Sequence, residues 1–403
     1  MRRAPLLWPS RERTPALSRP DQYDVICLSL EPWNEVWRRN QHMATELLRL
    51  RPNMRLLFAE APIDVLWSIR QGHLPKRSDL HPIGETGRLW AMAPRKWLPR
   101  RIRPGVDESL FRQVLSAGKE LGFAKPLLWI NDCTYAPLIE RTGWPCVYDV
   151  TDDWLLASGD DRWLERQRTN DSLALRDAGE VVVCSPALAE SRGRDRPVHL
   201  VPNGVDVDFL RTPMARPSDL PDGRIVLYQG TLSAGRLDID LCASLARRLA
   251  GRASLVFVGP NSLSKVAEST VLDAGAIILG SRPYSQMPAY LQHADVLVVP
   301  HQITPFTESL DPIKAREFLA VGRPVVSTPV AGFRDLDRPV VVADAKEYVD
   351  AVEGVLDEEP MAPGPGPLTG EPTTWATQAV AFLAAFDAAA GGGSAPQRPP
   401  AQP

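Results

Sequence analysis

The sequence predicts an α/β fold of two doubly wound parallel sheets, and three observations carry that expectation. Short β-branched runs alternate with helical stretches, which is the pattern of parallel βαβ units. The runs fall into two sets, one in each half of the chain. Between the sets lies "RTPMARPSDLPDG", where Pro213, Pro217, Pro221 and Gly223 interrupt regular structure.

The first set is "YDVICLS", "MRLLFAE", "LLWIND", "CVYDVTD" and "EVVVCSP"; the second is "RIVLYQG", "SLVFVGP", "AIILGS", "DVLVVPH" and "PVVSTPV". The segment from about 64 to 104 fits the alternation poorly. At about 150 residues per domain, 403 residues suit two or three domains. The expected division is a first domain over 21–210, a linker over 211–223, a second domain over 224–372 and a last amphipathic helix over 373–390. The Pro/Gly-rich ends, 1–20 and 391–403, are expected to be disordered. Ligands are expected at the C-terminal ends of the strands.

Composition narrows the function. Apolar residues make up 44% and charged residues 24%, and the net charge of −3 argues against wholesale nucleic-acid binding. Cys27, Cys133, Cys146, Cys184 and Cys242 are odd in number and widely spaced, without a CxxC, as in a reduced cytosolic protein. With no Cys/His cluster, no structural metal is expected. No apolar run is long enough to span a bilayer, and the basic start is broken by proline, unlike a signal peptide. The run Arg95, Lys96, Arg100, Arg101 and Arg103 around Trp97 is either a solvated, proline-broken loop or a patch for anionic lipid head groups.

No GxGxxG follows the first strand and no GxxxxGK[ST] occurs, so the glycine turns for dinucleotides and ATP are absent. In the second half, "LYQGTLSAGRLD" ends a strand with Gly230 and Thr231 and then supplies Arg236. "ESLDPIKAREFLAVGRPVVSTPV" begins a helix with Asp311 as expected N-cap and Pro312 at the first helical position, and ends it at Gly322. Two cations, Arg236 and Lys314, above one sheet edge suit a pyrophosphate, and Glu317 one turn deeper suits a pair of ribose hydroxyls. The bland alternative is a surface Lys–Glu pair one turn apart.

In the first half, "SLEPWNEVWRRNQHM" places Trp33, Arg38, Arg39, Asn40 and His42 beyond the first strand, where polar and aromatic side chains suit acceptor or phosphate contact. His42 is either a proton shuttle or a structural histidine at a helix start. Asp149, Asp152 and Asp153 of "YDVTDDW" form either a metal site or a helix cap. "VPNGVD" is read structurally, with Gly204 allowing a tight turn.

In order along the chain, "VPNGVD", "YQGTL…RLD", "HADVLVVPH" and "DPIKAREFLAVGRPVVST" resemble glycosyltransferase family 4 and related bacterial cell-envelope and polysaccharide transferases of the GT-B fold. "YDVTDDW" and "WRRNQH" extend the match, which covers about residues 22–345. The resemblance implies two Rossmann-like domains facing each other across a cleft. It implies transfer of a sugar from a nucleotide-sugar donor to a carbohydrate, lipid-linked or small-molecule hydroxyl acceptor, with retention, with no tightly bound cofactor or metal, in the cytoplasm or at the inner face of the plasma membrane.

By position, the resemblance makes Arg236, Lys314 and Glu317 catalytic, with Gly230, Thr231, Tyr284, Glu308, Ser309, Asp311 and Ile313 on the donor and "GSRPYSQMPAYL" lining the base pocket. Relatives carry two glutamates eight residues apart; here Ser309 stands eight before Glu317, leaving Glu308 or Asp311 as the substitute. Many relatives place a histidine after the fourth strand; here Asn131 and Asp132 offer either a sugar contact or a plain turn. Trp33, Arg38, Arg39, His42, Asn131, Asp132 and Asp152 make up the acceptor side. The other functions that fit are a non-catalytic partner subunit and a sugar-nucleotide epimerase.

Overall fold

A computed structural model describes residues 23–70, 79–98, 100, 102, 105–337, 340–368 and 370–391. Residues 1–20 and 392–403 of the expected disordered ends, and Arg101 and Arg103 of the basic run, lie outside these. The strands of the first half are β1 (Asp24–Leu28), β2 (Arg55–Ala59), β3 (Ile63–Asp64), β4 (His81–Pro82), β5 (Leu89–Met92), β6 (Arg95–Lys96), β7 (Leu127–Ile130), β8 (Cys146–Val150), β9 (Glu180–Val183) and β10 (His199–Leu200). Those of the second half are β11 (Arg224–Gln229), β12 (Ala253–Val258), β13 (Ile277–Gly280), β14 (Val296–Val299), β15 (Val325–Ser327) and β16 (Val340–Val342).

They form an eight-stranded sheet in the order β10-β9-β8-β7-β1-β2-β5-β4 and a six-stranded sheet in the order β13-β12-β11-β14-β15-β16. All described pairings in these two sheets are parallel except β4 with β5. The chain has a GT-B fold. All ten expected strand runs are strands, and β4, β5 and β10 join the first sheet and β16 the second beyond them. "LWAM" in β5 is hidden by the proline-rich surroundings that make 64–104 look irregular in sequence.

Parallel sheets are covered on both faces, so their strands read as continuous apolar runs. In β1, Val25 and Cys27 point into one core layer and Ile26 and Leu28 into the other. In β11, Val226 and Tyr228 face one layer and Ile225 and Leu227 its opposite. All five cysteines are buried.

The last helix, Trp375–Gly391, returns to the first sheet and packs Ala379, Phe382, Phe386 and Ala389 into its core. Trp129 meets Phe382 and Phe386 with ring centroids 5.1 and 5.9 Å apart. Each fully buried phenylalanine contributes about 1.5–3 kcal/mol, enough to hold this return tightly.

The chain thus passes between the sheets twice, and the passages touch: Val205 pairs with Thr374. Gly204 is required here for close approach, since a Cβ would strike the Thr374–Trp375 backbone, and residues 202–204 form no turn, in place of the tight turn expected.

Candidate functional site

The loops after β1, β7, β8, β11, β12 and β14 open on one cleft of about 550 Å³, within the range of ligand sites. Its second-domain wall begins where β11 ends. Gly230 and Gly259 adopt φ of 135° and 148°, and their loops lie so close that a Cβ on Gly259 would strike the Gly230 carbonyl. A Cβ on Gly230 would stand 2.8 Å from Lys314 Nζ. Two glycines therefore leave room for the lysine to reach the sheet edge.

Lys314 lies in the helix Ile313–Val321, with Nζ 4.0 Å from the Tyr228 ring centroid and 3.4 Å from His301 Nε2. Burial, and then the charge of Arg236, push its pKa well below the ordinary lysine value, against the pull of Glu317. His301 is held neutral by burial and by the charges of Lys314 and Arg236. Arg236 packs its guanidinium over Phe306 at 5.6 Å and stands 3.8 Å from Asp152 across the cleft. This wall concentrates positive charge that the protein itself leaves under-neutralised, which is what an anionic ligand requires.

Glu317 is buried beneath it and accepts a hydrogen bond from Gln229 Nε2 at 3.1 Å. Burial raises its pKa, opposed by Gln229 and Lys314. Gln229 Oε1 and the Tyr284 hydroxyl are buried without partners among the described residues, and the Tyr284 hydroxyl feels the Glu317 charge. Orphaned polar atoms beside a carboxylate suit a hydroxyl-rich ligand.

The predicted residues divide. Arg236, Lys314, Glu317, Gly230, Thr231, Tyr284, Asp311 and Ile313 line the cleft from the second domain, and Arg38, Arg39, Asn131 and Asp152 from the first. Glu308 and Ser309 do not line it. Glu308 is bonded to Arg334 and accepts from Ala331 N, while Ser309 is buried and its carbonyl accepts from Ser185 Oγ at 2.6 Å. The break between the short helix Pro305–Glu308 and the helix Ile313–Val321 turns Glu308 away, so Glu308 does not substitute for the first glutamate of the pair.

Asp311 is not the N-cap. The helix starts after Pro312 with no side-chain cap, and Asp311 instead accepts from Asn203 N at 2.6 Å and pairs with Arg316 at 2.6 Å. Asn203 also accepts from Arg39, whose other nitrogen lies 3.4 Å from Asp149. A chain of bonds thus ties the helix start to the first domain. Tyr284 N reaches Glu35 O at 2.6 Å, and its ring stacks on Trp37 at 5.8 Å, adding a second tie.

On the acceptor side, Trp33 packs edge-on against Phe58 at 5.0 Å and belongs to the core rather than the cleft. His42 is buried, stacked on Trp375 at 4.6 Å, and its pKa falls to about 3 through burial; it is a structural histidine, not a proton shuttle. Asn131 is held by Asn40, Asp149 and Thr151, and Asp132 caps the turn at Cys133–Tyr135. The three acids of "YDVTDDW" separate: Asp149 takes Trp129 Nε1, Asp153 takes Arg192, and Asp152 faces Arg236. Of the basic run, Lys96 pairs with Asp64 and Arg100 with Asp107.

Sequence reasoning missed His301, Gln229 and Trp37 as site residues. His301 and Gln229 both stand at strand C-terminal ends, which was the available signal.

Residues 223–358 match the family described as "Glycosyl transferases group 1". This region is similar to glycosyl transferases of that group. The chain is 26% identical over 241 residues to a Bacillus subtilis protein named as a putative teichuronic acid biosynthesis glycosyltransferase, TuaH; the alignment covers 55% of this chain and 59% of that one, so the chain spans less than two thirds of that relative's length. Sucrose-phosphate synthase of Thermosynechococcus elongatus superposes with a TM-score of 0.59 at 18% identity, covering 92% of this chain and 96% of its own. Anabaena HepE in complex with UDP and glucose superposes at 0.57 and 14% identity, covering 91% and 95%. The matched region spans β11–β16 and includes Arg236, His301, Lys314 and Glu317.

Proposed function

We propose that this protein is a retaining glycosyltransferase that moves a sugar from a nucleotide-sugar donor to a hydroxyl acceptor in cell-envelope or polysaccharide synthesis. The observation that carries this is the wall where Arg236 and Lys314 face the cleft above Glu317, inside the matched region. Arg236 and Lys314 hold the diphosphate and stabilise the charge that grows on it as the glycosidic bond breaks, which is the chief way a fixed charge speeds such a step. Glu317, with Gln229 and Tyr284, holds the ribose. Catalysis needs no metal in this reading, because the two cations supply the charge, and Asp149, Asp153 and Asp311 are each engaged with an arginine.

With retention, the departing phosphate oxygen takes the proton of the acceptor hydroxyl on the same face, so no protein base is required. Rotation about the paired passages at Val205 and Thr374 would open and close the cleft, and closure excludes the water that would hydrolyse the donor.

The acceptor is a carbohydrate, lipid-linked or small-molecule alcohol. A membrane-borne acceptor is favoured by exposed apolar side chains of the first domain: Trp67, Ile69, Trp97 and Ile102 are each more than half exposed and lie close in sequence to Arg70 and Arg95. Among the described residues no helix is long and apolar enough to cross a membrane. Co-sedimentation with anionic liposomes should fall when Trp67 and Trp97 are both changed to Ser; equal sedimentation removes the membrane contact.

Thermal unfolding with UDP, GDP, TDP and CDP tests the core of the proposal. A nucleotide at about a hundred times its Kd adds roughly 2.7 kcal/mol and raises the midpoint visibly. No shift with any of them would favour a non-catalytic partner subunit, and turnover of the donor sugar without acceptor would favour an epimerase.

A further inference from the structure

A second hollow of about 160 Å³ lies in the first domain and runs into the main cleft past Leu30, Thr151 and Asp152. At about 30 Å³ of liquid volume per water it has room for about five waters, on the order of one sugar ring. Its walls come from the ends of β7 and β8 and from the helix Asp161–Asp177. Trp154 and Trp163 give it aromatic surface, and the Trp154 indole N–H is buried without a partner.

The polar groups here are mostly acceptors. Asp132 takes its hydrogen bonds from Thr134. Asp152 sits where the hollow meets the cleft, 3.8 Å from Arg236. Asp171 accepts from the Tyr148 hydroxyl at 2.7 Å. Among the described residues, the one cation lining it, Arg192, is already committed, with 2.8 and 3.1 Å bonds to the two oxygens of Asp153 and a 3.4 Å approach to Asp171. Three carboxylates and a committed arginine repel an anion and attract hydroxyl donors.

We propose that this hollow is the acceptor subsite and that it takes a single uncharged sugar ring, its hydroxyls toward Asp132 and Asp152 and its apolar face toward Trp154 and Trp163. This rests on the glycosyltransferase reading for the role of acceptor, but the binding itself does not depend on the donor. The reacting hydroxyl then lies beside Asp152, facing the diphosphate cations, while a phosphorylated or uronic acid unit is turned away.

Saturation-transfer NMR on the full chain tests it, using methyl α-glucoside, methyl β-galactoside and N-acetylglucosamine as neutral probes and glucuronate and glucose 6-phosphate as charged ones. At least one neutral probe should bind at millimolar concentration, with and without UDP. Trp163→Ala should reduce that signal about tenfold, and Asp132→Asn, which keeps the turn cap, should let glucuronate in. Neither residue lines the main cleft, so the midpoint shift with nucleotide should be unchanged in both variants. The proposal is overturned if no neutral probe binds, if UDP displaces the bound one, if Trp163→Ala leaves the signal intact, or if a charged probe binds wild type more tightly. A missing nucleotide shift in wild type counts against the donor assignment alone, because the NMR signal without UDP reads the hollow by itself.

Discussion

The start of the helix Ile313–Val321 has two faces wired in opposite ways. On one, Asp311 and Arg316 are paired with each other, and Asp311 also with Asn203. On the other, Lys314 and Glu317 face the cleft from partly desolvated positions with few partners. Satisfied charges fix structure and under-satisfied ones await a ligand. The same few residues therefore supply both a latch between domains and a binding wall.

The sharpest way to break this contrast is Lys314→Ala. Transfer should fall about a hundred- to a thousandfold, as on losing an oxyanion-stabilising group, with little change in unfolding midpoint and no nucleotide-induced shift. A large loss of stability would place Lys314 among the structural charges instead. Glu317→Gln comes next: it keeps the shape but weakens the ribose contact by about 1.5–3 kcal/mol, read as a ten- to hundredfold weaker nucleotide Kd in calorimetry.

Asp311→Asn probes the latch face. It should cost about 1.5–3 kcal/mol in urea unfolding because the Arg316 pair goes, while nucleotide affinity stays within a few-fold. Equal damage to both quantities would merge the two faces into one unit.

Comparable in size is the pH response of His42 in the aromatic tie. It is neutral in the fold with a pKa of about 3, whereas the unfolded chain takes up a proton near 6.5. Stability is therefore lost as pH falls below 6.5 toward 3, by about 2 kcal/mol at pH 5. His42→Phe should flatten that part of the stability–pH curve; an unchanged slope would assign it to other groups.

Much of this was legible in the sequence. Both sheets could be read from β-branched runs, since strands buried on both faces announce themselves. The cations could be read because Arg236 and Lys314 follow strand and helix signals directly. What failed depends on distant partners. Asp311 looks like a cap by local rules, yet its partner Asn203 lies 108 residues away. Trp33 sits on a polar loop, and only Phe58 reveals that it is core. Glu308 is an acid one residue from the expected spacing, but the interruption between two helices redirects it to Arg334. The acceptor hollow was invisible, because Trp163 and Gln167 join Asp132 and Tyr148 only once α and β layers meet.

The doubled passage between the domains has a mechanical consequence. One strand of chain joining two bodies works like a tether, and lets them twist freely. Two strands side by side, bridged at Val205 and Thr374 and pressed together at Gly204, behave like a door with two pins. Twist would wind one strand around the other, so the easy movement left is a swing about the line that joins them, and each swing returns the two walls to the same register.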